Sequence, residues 1–249
     1  MEVCVDCIDS AVEAECGGAK RVELCSSLIS GGLTPSLGLL LTVKKLIKIP
    51  VFVMVRAREG DFNYSRYELD CMLIDAKLLK DNGADGFVFG CLRPDGSIDV
   101  ECCQELIDVC KPHPLTFHRA IDVSSNPVSN LKILISLGFD RVLTSGGEYT
   151  ALEGSPVIKE MVQHFGNEII VVPGGGVSET NLQRILDETD AKEFHASATN
   201  LKISSMTYTN QSVSMTSSSY NSHHTSEYAR KVCDRNRVKA MVRICNGGL

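Results

Sequence analysis

The chain has 249 residues, with 25 Lys+Arg against 31 Asp+Glu for a formal net charge of −6, and is 43% hydrophobic and 22% charged. These values exclude a disordered chain, a collagen and a coiled coil, and the mild acidity argues against nucleic acid or an anionic membrane as a partner. No apolar run approaches the roughly 18 residues that span a bilayer, and the opening MEVCVDCIDS lacks the basic start and long apolar core of a signal peptide.

In chain order, short apolar or alternating runs occur at Glu2–Asp6, Arg21–Cys25, Val51–Arg56, Gly86–Gly90, Leu115–Arg119, Arg141–Ser145, Ile169–Pro173 and Lys192–Ser197. Each is predicted to be a strand. Their starts lie about 19 to 35 residues apart, the length of a strand–loop–helix unit. Between them, Ser65–Asp81 carries Leu69, Met72, Leu73, Ala76 and Leu79 at helical spacing and is followed by Asn82-Gly83, a stop signal. Pro127–Leu137 repeats the pattern before Gly138, and Ser178–Asp187 opens with Ser-Glu-Thr-Asn and carries Leu182, Ile185 and Leu186.

Eight such units predict a TIM (β/α)8 barrel, a single α/β domain over residues 1–249. A doubly wound open sheet is the alternative. Residues 200–225, rich in Ser, Thr, Asn and Met, are predicted to be a long loop after the eighth strand, and 226–245 the last helix. Within the loop, Tyr208, Val213 and Met215 alternate enough to pack locally, SSSYNSHH reads as mobile, and His223-His224 reads as solvated rather than metal-binding.

Eleven cysteines stand beside no tryptophan. An odd number cannot all pair in one chain, and without a secretory signal they are expected to be reduced thiols in the cytosol. Cys71, Cys91, Cys102, Cys103, Cys110, Cys233 and Cys245 read as buried structural thiols.

Strand parity sorts the remaining polar residues. Apolar residues alternate toward the helices, leaving Glu2, Cys4, Asp6, Arg21, Glu23, Cys25, Arg56, Thr116, His118, Glu193, His195 and Ser197 toward the barrel interior. Such an interior is far more polar than a barrel needs, and buried charges survive only when paired. Glu23 with Arg56, and Glu193 with His195 or His118, are the expected pairs. An ion-pair network that merely fills the barrel is one reading. Against it, Cys25, Arg56, His118, Arg119, Asp122, Ser145 and His195 gather at the strand C-terminal ends, where barrel active sites lie. Glu23, Arg56, His118, Asp122 and His195 are therefore the candidate catalytic residues. Gly174, Gly175 and Gly176 after the seventh strand, with Ser197 after the eighth, are a candidate anion site or simply a tight turn. Cys4 and Cys25, on neighbouring strands with matching parity, are candidate ligands for a soft ion such as Cu(I). Cys7 adds a weak Cys-x-x-Cys spacing.

These motifs converge. Arg21-Val22-Glu23-Leu24-Cys25, Gly31-Gly32-Leu33-Thr34-Pro35-Ser36, Gly60-Asp61-Phe62 with Tyr64-Ser65, and Thr116-Phe117-His118-Arg119-Ala120 resemble the CutC copper homeostasis family. So do Arg141-Val142-Leu143-Thr144-Ser145-Gly146, Ala151-Leu152-Glu153-Gly154, Phe194-His195-Ala196-Ser197-Ala198 and Ser226-Glu227-Tyr228. The resemblance implies a TIM barrel, a cytosolic and also nuclear location, a homo-oligomer (dimer or tetramer), and Cu(I) bound by cysteines matching Cys4 and Cys25. It implies no organic cofactor and no assigned reaction. The family's Arg-Pro-Arg-Gly-Gly-Asp-Phe stands here as Arg56-Ala57-Arg58-Glu59-Gly60-Asp61-Phe62, and Cys7 and Cys16 are additional thiols.

Two functions follow. One is a copper homeostasis protein binding Cu(I) through thiolates. The other is an enzyme acting on a small anionic or phosphorylated metabolite at the strand ends, with Arg56 and Gly174–Gly176 holding the anion. His118 or His195 would then be the general acid or base, with Glu23 or Asp122 as partner. A scaffold without catalysis would leave the polar barrel mouth unexplained.

Overall fold

The strand residues Val3, Val5, Val22, Leu24, Val51 and Val53 are fully buried, because each has a helix packed over its outer face. The computed structural model describes residues 1–210, 212 and 228–246. The strands are β1 (Glu2–Val5), β2 (Arg21–Leu24), β3 (Val51–Met54), β4 (Gly86–Phe89), β5 (Leu115–Phe117), β6 (Arg141–Thr144), β7 (Ile170–Pro173) and β8 (His195–Ala196). They form one eight-stranded sheet in the order β7-β6-β5-β4-β3-β2-β1-β8, with every pairing parallel. The sheet is a TIM-like barrel closed except for the seam between β7 and β8.

The outer layer is α1 (Ile8–Gly17), α2 (Leu37–Leu46), α3 (Arg66–Asp81), α4 (Val100–Cys110), α5 (Pro127–Leu137), α6 (Ser155–Phe165), α7 (Leu182–Thr189) and α8 (Arg235–Cys245). Local signals set most of their starts. Ser65 and Glu68 close a capping box at α3, Asn126 caps α5 with Pro127 in its first turn, and Asp234 caps α8. The helix expected from Ser178 begins four residues later, at Leu182. There the Asn181 side chain is spent on the loop, accepting from Ser178 N and donating to Gly176 O at 2.8 Å each.

The barrel interior is layered. Phe52 lies inside, with its ring where Gly86 has no side chain: a β-carbon there would come within 2.6 Å. The Arg21 and Arg141 guanidinium groups sit 5.4 and 5.6 Å from that ring. Above it, Cys25, Met54 and Val88 complete a small apolar cluster.

The region after β8 differs from the expected loop and helix. Thr199–Ile203 (β9) and Ala229–Cys233 (β10) form an antiparallel hairpin. Residues 229–233, expected to begin the last helix, are therefore strand, because 199–203 supply a partner distant in sequence. Tyr208 is exposed; Val213, Met215, SSSYNSHH with its His223-His224, and Ser226-Glu227 lie outside the described residues. All eleven cysteines are free thiols, but Cys16, Cys71 and Cys245 are exposed and Cys102 is half-buried. Burial at Cys71, Cys102 and Cys245 is thus less than their sequence setting suggested.

Candidate functional site

A cavity of about 890 Å³ opens at the strand C-terminal ends. Cys4, Glu23, Arg56, His118, His195, Gly175, Gly176 and Ser197 all line it, as do Arg119 and, from the hairpin, Ala229–Lys231. Cys25, Asp122 and Gly174 do not line it; each stands behind it.

One wall is built by register. Cys4 on β1 stands opposite Glu23 on β2, and Glu2 stands opposite His195 on β8. His195 Nδ1 donates to Glu2 Oε1 at 2.7 Å, and its Nε2 lies 3.9 Å from Glu23 Oε2. Glu2 also accepts from Arg21 Nε at 2.5 Å. Arg21 reaches Glu193 at 2.6 Å, and Arg141 reaches the same carboxylate at 3.3 Å. The charges are thus paired, but not as expected. Glu193 serves the two arginines rather than a histidine, and Glu23 faces His195 rather than Arg56.

Burial works against charge on His195, but the surrounding Cys4, Glu23 and Glu2 outweigh it and hold its pKa well above the ordinary value. Burial likewise opposes Glu2, yet the His195 and Arg21 contacts bring its carboxyl down to about 2. Burial raises the pKa of Glu23, partly offset by His195; its Oε1 is buried with no hydrogen-bond partner. Cys25 is fully buried and donates to Glu23 Oε2 at 3.5 Å. Burial and the Glu23 charge push its thiol well above the usual range.

The facing wall is built by β3 and β5. His118 Nδ1 accepts from Ala120 N at 3.3 Å, leaving the ring proton on Nε2, which has no partner. Burial and the Arg56 charge bring its pKa down to about 3, so it is neutral. One neutral and one cationic histidine therefore line the same cavity. Arg56 donates to Ser30 O, Gly32 O and Gly60 O at 3.0, 3.2 and 2.9 Å and covers the Phe62 ring at 4.9 Å. It clamps the loops after β2 and β3 together, which is a positioning role.

Asp122 is not beside either histidine. Its carboxylate accepts from Thr144 Oγ1 (2.5 Å), Ser145 N (3.0 Å) and Gly147 N (3.2 Å), and pairs with Arg119 Nε at 2.7 Å. It braces the loop after β6 and orients Arg119. Gly174 is a packing glycine: a β-carbon there would meet Leu143 at 2.5 Å and His195 at 3.4 Å. Sequence reasoning placed Glu2 inside the barrel and Arg119 at the strand ends but left both out of the candidate catalytic set.

Among the described residues, Cys4, Glu23 and His195 form a group able to hold a metal ion, their donor atoms all within 4.8 Å of one another. Cys25 is not part of that group. Register puts Glu23, not Cys25, opposite Cys4.

Comparison with known proteins gives a consistent result. The CutC family model matches residues 1–200. The copper homeostasis protein cutC homologs of Mus musculus and Homo sapiens are each 51% identical over 241 residues, 97% of this chain and 87% of theirs. A solved CutC chain from Streptococcus agalactiae superposes with a TM-score of 0.75 at 33% identity, covering 79% of this chain and 97% of that one. Thiamine phosphate pyrophosphorylase from Pyrococcus furiosus, 14% identical with a TM-score of 0.58 over 99% of this chain and 95% of its own, shares the fold alone. With its barrel and motifs matched over most of the chain, this protein belongs to the CutC family of copper homeostasis proteins.

Proposed function

We propose that the protein binds one copper ion, as Cu(I), at Cys4 and His195, with Glu23 beside them. The convergence of these three donor atoms within 4.8 Å carries the reading. The donor set fits: thiolate and imidazole suit copper, and the unpartnered Glu23 Oε1 offers negative charge where the ion would add positive. Binding requires the His195 imidazolium to release its proton, so affinity rises with pH. The homo-oligomer and the cytosolic and nuclear setting belong to this proposal. Anaerobic titration with Cu(I), followed by X-ray absorption, tests it. One sulfur and one imidazole nitrogen per ion are expected; full-affinity binding by Cys4→Ser would overturn it.

A second reading, an enzyme acting on a small anionic metabolite, is favoured by a different observation. A neutral His118 and a cationic His195 line the same cavity. Those two groups suit polarisation of a substrate oxygen by one and proton donation by the other. Turnover lost in both His118→Asn and His195→Asn, with folding intact, is the expected result once a substrate is found.

A further inference from the structure

We infer that the corner of the cavity formed by Arg119, Gly175 and Gly176 holds the phosphate of a small phosphomonoester, with His118 facing the organic part. The inference deepens the enzyme reading above. It is tested by binding, so its failure is separable from a failure to find turnover.

Arg119 is held for this task. Its Nε is fixed by Asp122 and its Nη2 donates to Ser145 Oγ, both at 2.7 Å. The remaining Nη1 lies 3.3 Å from where a β-carbon on Gly175 would stand. Ser145 Cβ lies at the same 3.3 Å, so any side chain at 175 would fill the corner. Gly175 and Gly176 both adopt left-handed backbone, with φ of +102° and +68°. Their N–H groups donate to no backbone carbonyl among the described residues. A guanidinium nitrogen thus stands beside Gly175, and two backbone N–H groups lack a backbone acceptor after β7 of a barrel, where phosphate is commonly held.

The second observation is independent. His118, 3% exposed, lines the same cavity and keeps a buried Nε2–H with no acceptor. The volume chooses between a free ion and an ester. About 890 Å³ is far more than a bare phosphate fills and falls among pockets for whole small molecules, about 300–1,000 Å³.

Calorimetry on the full chain with ribose 5-phosphate, inorganic phosphate and ribose tests the assignment. Ribose 5-phosphate should bind more tightly than phosphate, and ribose should not bind detectably. Arg119→Gln should weaken both phosphorylated probes by at least about tenfold, and Arg119→Lys should recover part of the loss. In ¹H–¹⁵N spectra of the wild type, the Gly175 and Gly176 amides should shift with either phosphate probe. The spectra keep the test independent of any folding defect in the variants. No phosphate binding, unchanged affinity in Arg119→Gln, or unmoved glycine amides would overturn the subsite. Ribose 5-phosphate binding no tighter than inorganic phosphate would overturn the ester.

Discussion

Cys4 and Glu23 are register partners across β1 and β2, so the thiol meets a carboxylate and not the second thiol, Cys25, which lies beyond β2. Copper affinity should therefore divide unequally between the two cysteines. Cys4→Ser is expected to weaken Cu(I) binding by at least about tenfold, and Cys25→Ala by less than about threefold. Competition against a chromophoric Cu(I) chelator measures both. Equal losses would mean that both sulfurs bind the ion.

Glu2 holds two cations at once, Arg21 and His195, while 1% exposed. Glu2→Gln leaves both without that charge, and breaking a buried pair in this way costs about 3–5 kcal/mol. Urea unfolding should show the loss. The same variant should lower the His195 pKa, because one of the carboxylates sustaining the imidazolium is gone. An NMR titration of the ring reads this, and an unchanged His195 titration would show that Glu2 is not what keeps it charged.

His118 should make the fold acid-sensitive. Its folded pKa, about 3, lies below the ordinary 6.5. Between those values the unfolded chain binds a proton that the folded one refuses. Stability is then fully present above pH 6.5 and falls as pH drops toward 3, by up to about 1.4 kcal/mol per pH unit for this one group. His118→Asn should flatten that part of the stability–pH curve. Superimposable slopes for the variant and wild type would exclude this origin.

Asp122 gathers donors from Thr144, Ser145, Gly147 and Arg119 while its side chain is 6% exposed. Asp122→Ala strands these donors and should cost about 3 kcal/mol, since hydrogen bonds to a charged acceptor contribute about 1.5–3 kcal/mol each. Chemical denaturation at neutral pH checks the figure. A loss under about 1 kcal/mol would show that the loop after β6 is braced by its backbone instead.

Much of this protein was settled locally, within a few residues of chain. Alternation in Glu2–Val5 and Val51–Met54 decided which side chains enter the barrel, and Ser65 with Glu68, or Pro127 with Gly138, decided where helices begin and end. Those signals act over one turn or one pleat, so they can be read directly. The candidate cavity was legible to the same extent: Cys4, Glu23, His118 and His195 were identifiable from parity alone. Their partners were not. Glu2 meets His195 only because the barrel closes β1 against β8 across nearly two hundred residues, and Glu193 turns to Arg21 and Arg141 for the same reason. The hairpin of β9 and β10 likewise joins segments whose affinity is for each other, not for their neighbours in sequence. Short-range pattern sets which way a side chain points; which group it meets depends on strand register and closure, and these are decided only when the whole barrel packs.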